Sequence, residues 1–231
     1  MKLLIDHADL SVIKHLYESY PMNGVTTNPT ILSRTGRRPF DVLKEIRAFL
    51  PEEAMLHVQV VSTKAENMVN EAHHIQMVLG TSIYIKIPVT KEGLKAIRIL
   101  KKEGANITGT IILSPMQGFL AAKAGADFIA PYVNRMEDYG FHGVEVTKQL
   151  HDMLIKNNSS CQILGASFKN TGQVMELANH GISACTLAPD IYNNLLCLNA
   201  VDYQAELFTK DFEALTKGKH NMTEESLDYL K

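Results

Sequence analysis

The stretch SIYIKIPVT, Ser82 to Thr90, sets Ile83, Ile85 and Ile87 in alternation with Ser82, Tyr84 and Lys86 before Pro88 ends the run. Such alternation predicts a β-strand, because successive side chains on a strand point to opposite faces. A lysine on a strand of this kind is ordinarily a solvated residue, or an edge residue that blocks unwanted strand pairing. Whether that holds for Lys86 depends on the strands around it.

Outward from this run, short apolar segments alternate with longer amphipathic ones along the whole chain. KLLID is followed by a helical pattern through Tyr20, GVTTN by Pro29 to Leu50, MLHVQVV by Thr63 to Leu79, and SIYIKIP by Lys91 to Lys102. The third helix carries Thr63 and Glu66 at capping-box spacing and Ala65, Met68, Val69, Ala72, Ile75 and Leu79 on one face. The alternation continues with NITGTII and a helix from Pro115 to Ala124, then DFIAPYV and a helix from about Gly143 to Lys156. CQILGAS precedes a helix from Gly172 to Asn179, and SACTLAP precedes a helix near Ile191. Eight such units with no Gly/Pro/Ser-rich linker predict a (β/α)8 TIM barrel rather than an open doubly wound sheet. The expected organisation is one barrel domain over residues 1–231, with extra C-terminal helices from about 201 to 231.

A chain of 231 residues suits one large core or two small ones. Charged residues make up 21% and balance to a net charge of -2, which argues against nucleic acid or an anionic membrane as the main partner. The chain runs from Met1 directly into KLLID, and no stretch approaches the ~18 apolar residues of a membrane helix. A cytoplasmic protein is expected. Cys161, Cys185 and Cys197 are odd in number and lack CxxC spacing, so they read as reduced thiols, two of them within strands.

In a (β/α)8 barrel one face of each strand meets the helices, the other fills the interior, and active sites sit at the C-terminal strand ends. If Ile83, Ile85 and Ile87 face the helices, Lys86 points inward near the end of strand four. The same reading points Asp6 inward on strand one, Thr26 and Asn28 on strand two, and Gln59 on strand three. It does the same for Thr110, Tyr132 and Ser167 on strands five, six and seven. Each has an ordinary reading of its own: Asp6 and Asn28 as caps or turn formers, Thr110 as a strand residue, Tyr132 as a core aromatic. Seven strands ending in polar inward residues nonetheless depart from the Val, Ile and Leu that fill a purely structural barrel.

A lysine at the centre of that ring suits covalent amine chemistry. At an ordinary pKa only about one amine in a few thousand is neutral at pH 7, but desolvation lowers that pKa. The neutral amine attacks a carbonyl to give a Schiff base, which draws electrons from the adjacent carbon and permits C–C cleavage without a metal. No metal and no cofactor is expected in the site. His73 and His74 are sequence neighbours, and His7, His57, His142 and His151 show no i, i+4 or HxH spacing. Neither GxGxxG nor a P-loop pattern is present.

The segments LLIDHADL, GVTTNPTIL, VQVVST, YIKIPVT, GLKAI, KKEGANITGT, AGADFIAPYVNR and GASFK resemble, in order, the small transaldolase family, and most closely its fructose-6-phosphate aldolase branch. The resemblance runs to about Phe212 and implies a (β/α)8 barrel with the imine-forming lysine on strand four, at Lys86. It implies that Asp6, Thr26 and Asn28 hold donor hydroxyls and assist proton movement, and that Arg135 and Ser167 grip the substrate phosphate. Arg135 suits that task because a planar guanidinium holds two phosphate oxygens at once. Lys169 is a further candidate for the grip, with a solvated loop lysine as the competing reading.

Three positions select the branch. Transaldolases typically carry glutamate, asparagine and phenylalanine where this chain has Gln59, Thr110 and Tyr132. In the aldolase branch these three hold a catalytic water, with the tyrosine as acid/base group. The rim segments LSPMQG and DYGFHG differ from the branch pattern.

The resemblance therefore implies reversible cleavage of fructose 6-phosphate to dihydroxyacetone and glyceraldehyde 3-phosphate, within carbohydrate metabolism. The alternatives are a transaldolase that passes the dihydroxyacetone unit to a second sugar phosphate, as in pentose phosphate chemistry, and a non-catalytic sugar-phosphate-binding barrel. It also implies a homo-oligomer, with a decamer as one form. The apolar stripe Val201, Ala205, Leu207, Phe208 and Phe212 is open to two readings, the barrel floor or a neighbouring subunit.

Overall fold

The computed structural model describes residues 1–196 and 199–226. Eight parallel strands close into a barrel in sequence order. They are β1 Lys2–Asp6, β2 Gly24–Thr26, β3 Met55–Gln59, β4 Tyr84–Pro88, β5 Asn106–Ile112, β6 Phe128–Pro131, β7 Gln162–Gly165 and β8 Ala184–Leu187. Helices return the chain between them: α1 Leu10–Ser19, α2 Pro29–Ser33, α3 Pro39–Phe49, α4 Ala65–Leu79, α5 Lys91–Lys102, α6 Pro115–Ala124, α7 Val133–Asp138, α8 Gly143–Lys156, α9 Thr171–His180 and α10 Pro189–Leu195. Two further helices follow, α11 Asn199–Leu215 and α12 Met222–Ser226. Among the described residues no helix is long and apolar enough to cross a membrane.

The opening strand behaves as its alternation requires. Ile83, Ile85 and Ile87 are fully buried. Ile87 faces α5, since a Cβ built on Gly93 would lie 3.4 Å from its Cγ2. Lys86 takes the opposite face, in register with Gln59 on β3 and Thr108 on β5. The floor of the barrel is apolar. Met55, Phe128 and Ala184, each the first residue of its strand, cluster with Leu4 and Leu164, and Tyr84 packs against them.

Three expectations about helices are corrected. The helix expected from Pro29 to Leu50 is two helices, α2 and α3, because the chain turns at Gly36, with φ of 64°, and restarts at Pro39. That proline sits in the first helical turn, where its missing N–H costs nothing. The Thr63/Glu66 capping box does not form. The N-cap of α4 is Lys64 with no side-chain cap, and the N–H of Ala65 donates to Glu92 Oε2 of α5 at 3.0 Å. The expected apolar face of α4 is nevertheless buried at all six positions. A short helix not anticipated, α7, separates β6 from α8 and carries Arg135. Cys185 lies within β8, whereas Cys161 precedes β7, so one of these two thiols rather than both is in a strand. Both are free and buried, and Cys197 lies outside the described residues.

The chain separates into two compact units, Met1–Tyr192 and Asn193–Lys231. The first contains the closed barrel. Within the second, the stripe expected from sequence on α11 is exposed at Val201, Ala205 and Phe208 and half-buried at Leu207 and Phe212.

Candidate active site

A cavity of about 680 Å³ opens at the C-terminal ends of the strands, where barrel proteins place their chemistry. Asp6, Gln59 and Lys86 line it from strands one, three and four, Asn28 and Tyr132 from the N-cap positions just beyond β2 and β6, Arg135 from α7, and Ser167 from the loop after β7. The structure thus gathers seven of the ten residues expected from sequence on one surface. Thr26 and Thr110 stand one layer behind. Lys169 is exposed and does not line the cavity, as a solvated loop lysine would be placed.

Lys86 is 3% exposed, and its Nζ donates to the backbone carbonyl of Thr27 at 3.0 Å. Burial lowers its pKa below the usual lysine value, and the charge of Asp6 partly opposes that shift. Asp6 is itself oriented from below: Thr26 Oγ1 donates to Asp6 Oδ1 at 2.7 Å and shares a second 2.7 Å hydrogen bond with Thr186 Oγ1. Asn28 caps α2 through its oxygen, which accepts from the N–H of Ile31 at 2.9 Å, while the same residue lines the cavity. The cap reading and the site reading of Asn28 are both realised.

On the facing wall, Thr110 Oγ1 donates to the Tyr132 hydroxyl at 3.2 Å. Burial raises the Tyr132 pKa, with the Thr110 hydrogen bond acting in the opposite direction, so the phenol is protonated at neutral pH. Gln59 Oε1 is buried with no hydrogen-bond partner among the described residues. Acceptor, donor and phenol therefore face the same interior as the amine.

Backbone irregularity sits at the rim. The β5–β6 register shifts between Gly109 and Ile112, and within that shift Ile111 takes φ of 59°, an outlier for a β-branched residue. Gln117 supports the turn: its side-chain amide donates to the carbonyls of Val89 at 2.9 Å and Ile111 at 3.0 Å and accepts from the N–H of Leu113 at 2.8 Å. Ser167 also has positive φ, 57°, and its carbonyl accepts from the N–H of Asn134 at 2.7 Å. Such strain concentrates where a fold over-determines a functional surface.

Sequence reasoning missed the depth of the polar interior. Thr186, Thr108 and His57 are buried beneath the site, and His57 Nδ1 lies 2.9 Å from Thr108 Oγ1 with its ring stacked on Tyr84. Burial, with the charge of Lys86 secondary, holds that imidazole well below its ordinary pKa and hence neutral. Thr186 follows from alternation along ACTL on β8, the one strand to which no inward polar residue was assigned. His7, Arg34 and Asp190 also line the cavity from loops or helix ends, where strand alternation carries no signal.

A closed barrel of eight parallel strands with a buried lysine amine among carboxylate, hydroxyl and amide groups at its C-terminal end defines the (β/α)8 class that works through side chains of the strand ends. Comparison with known proteins narrows this. The family model described as transaldolase/fructose-6-phosphate aldolase matches residues 3–231, and the chain belongs to that family. A relative from Streptococcus pneumoniae (strain ATCC 700669 / Spain 23F-1), named a probable fructose-6-phosphate aldolase, is 39% identical over 213 residues, covering 92% of this chain and 96% of the relative.

Proposed function

We propose that the protein is a class I aldolase that reversibly cleaves fructose 6-phosphate to dihydroxyacetone and glyceraldehyde 3-phosphate. The observation that carries this reading is the Lys86 amine, which lines the cavity yet is 3% exposed, with a lowered pKa and a hydrogen bond to the buried Thr27 carbonyl. Burying a lysine costs stability, and a barrel that only binds sugar phosphates has no need of one.

In the cleavage direction, neutral Lys86 attacks C2 of the ketose and the carbinolamine loses water to give an iminium. The C4 hydroxyl then gives up its proton, the C3–C4 bond breaks, and its electron pair neutralises the iminium as an enamine. Glyceraldehyde 3-phosphate leaves. Protonation of the enamine at C3 and addition of water at C2 release dihydroxyacetone and restore the amine. Asp6, held by Thr26 and Thr186, and Asn28 hold the donor hydroxyls and assist these proton transfers. Arg135 and Ser167, which line the same cavity, take the phosphate.

Tyr132 favours the aldolase over the transaldolase reading. A transaldolase keeps the enamine until a second aldehyde arrives, whereas an aldolase must protonate it. The protonated phenol of Tyr132, backed by Thr110 and acting through water held at Gln59 Oε1, supplies that proton. A cytoplasmic setting and a homo-oligomer, with the decamer implied by the resemblance, complete the proposal.

The test incubates the protein with fructose 6-phosphate alone and measures free dihydroxyacetone, then repeats the reaction with erythrose 4-phosphate. Release to water at a rate comparable to transfer is expected. Transfer far faster than release would give the transaldolase reading its place. EDTA should leave turnover unchanged, and a loss restored by divalent metal would contradict the amine chemistry.

A further inference from the structure

Away from the cavity, α8 and α9 bring three metal-ligating side chains together on the outer layer. His151, Asp152 and His180 each offer one donor atom, and all three atoms lie within 4.8 Å of one another. None of them lines the Lys86 cavity. The imidazole N–H of His180 lies 3.0 Å from Asp152 Oδ1, and the two histidine rings are 5.3 Å apart at 68°. His151 Nδ1 is buried with no hydrogen-bond partner among the described residues. One turn earlier on both helices, Lys148 pairs with Glu176 at 2.5 Å, which fixes the seam between α8 and α9.

From this geometry we infer that His151, Asp152 and His180 form a binding site for one divalent cation of the zinc class that clamps α8 to α9. Two imidazoles bound to one tetrahedral ion through ~2.1 Å bonds have ring centres about 5.3 Å apart, and their donor atoms stand about 3.4 Å apart. The observed ring spacing matches the first figure. Small side-chain rotations bring donor atoms lying between 3.0 and 4.8 Å apart to the second. Two nitrogens and a single carboxylate oxygen suit zinc, cobalt or nickel rather than calcium or magnesium, which take oxygen sets.

Solvent access agrees with this. The side chains of His180 and Asp152 are 26% and 47% exposed, so an ion reaches them from solvent. On binding, the His180 Nε2 proton that faces Asp152 is released or moves to Nδ1, and the ion takes its place. Asp152 and His180 lie 28 residues apart in sequence on two helices, so no spacing pattern revealed the ligands.

The experiment uses the full-length protein, stripped with EDTA and dialysed, titrated with Co2+ while visible absorption is followed and with Zn2+ in a calorimeter. One ion per chain is expected, with a thermal midpoint raised by about 4 °C or more at saturation. His151→Ala and His180→Ala should each weaken the ion by at least about tenfold and abolish the thermal shift. Asp152→Asn keeps the side-chain shape and should weaken binding in the same direction, which guards against a variant that merely misfolds. Aldol cleavage should be equal with and without the ion. Failure to bind Zn2+ at submillimolar concentration, or equal binding by the parent and all three variants, would overturn the site.

Discussion

The half-buried phenol of Tyr132 retains its proton at neutral pH, and Thr110 donates to its oxygen. Tyr132→Phe should therefore lower release of dihydroxyacetone by about 10²-fold or more while leaving imine trapping at Lys86 within a few-fold. Equal losses in both would mean that the phenol positions substrate instead of moving a proton. Lys86 itself allows a prediction with a definite sign. Its folded pKa lies below the unfolded value of 10.5, so the unfolded chain binds more protons between the two values. The cost of burial is fully present below the folded pKa and is relieved as pH rises towards 10.5. Lys86→Met should lose turnover yet be about 1 kcal/mol more stable at neutral pH, a rise of roughly 2–4 °C in midpoint. The pH midpoint for imine trapping in the parent should lie below 10.5, and a midpoint at or above it would contradict the buried amine.

Elements hold these side chains in place through close approaches. Gly93 is a case: a Cβ there would lie 1.9 Å from the Pro88 carbonyl, so α5 can rest on the end of β4 only because that position is glycine. Gly93→Ala should destabilise the protein by about 2–3 kcal/mol and reduce activity by displacing the strand that carries Lys86. Thermal denaturation with activity assays checks this, and an unchanged midpoint would show that α5 yields freely. The strands were legible because period-two alternation survives burial, and Lys86, Gln59 and Tyr132 could be placed from it. Loop chemistry was less legible. The cap of α4 is replaced by a tertiary hydrogen bond that the Ala65 N–H donates to Glu92, which no local pattern encodes. The shifted register that sets Ile111 at the rim depends on Gln117 reaching back across the turn. Arg135 came from resemblance because it rides on α7, a helix too short to show periodicity.

At the scale of the whole molecule, the closed barrel accounts for one compact unit and leaves α11 with exposed Val201, Phe208 and Leu215 in the other. An apolar helix of this kind needs a partner surface. Removing the residues after Ala200 should lower the mass seen by light scattering, and an unchanged oligomer would assign the stripe to the chain's own barrel. The central claim is that this barrel works through an imine on Lys86, and one measurement addresses it directly. The protein is incubated with dihydroxyacetone, reduced with borohydride, digested and mapped by mass spectrometry. The account predicts one reduced dihydroxyacetone unit per chain, attached at Lys86, with none in Lys86→Met. Attachment at another lysine, or an active protein that traps no donor, would contradict it.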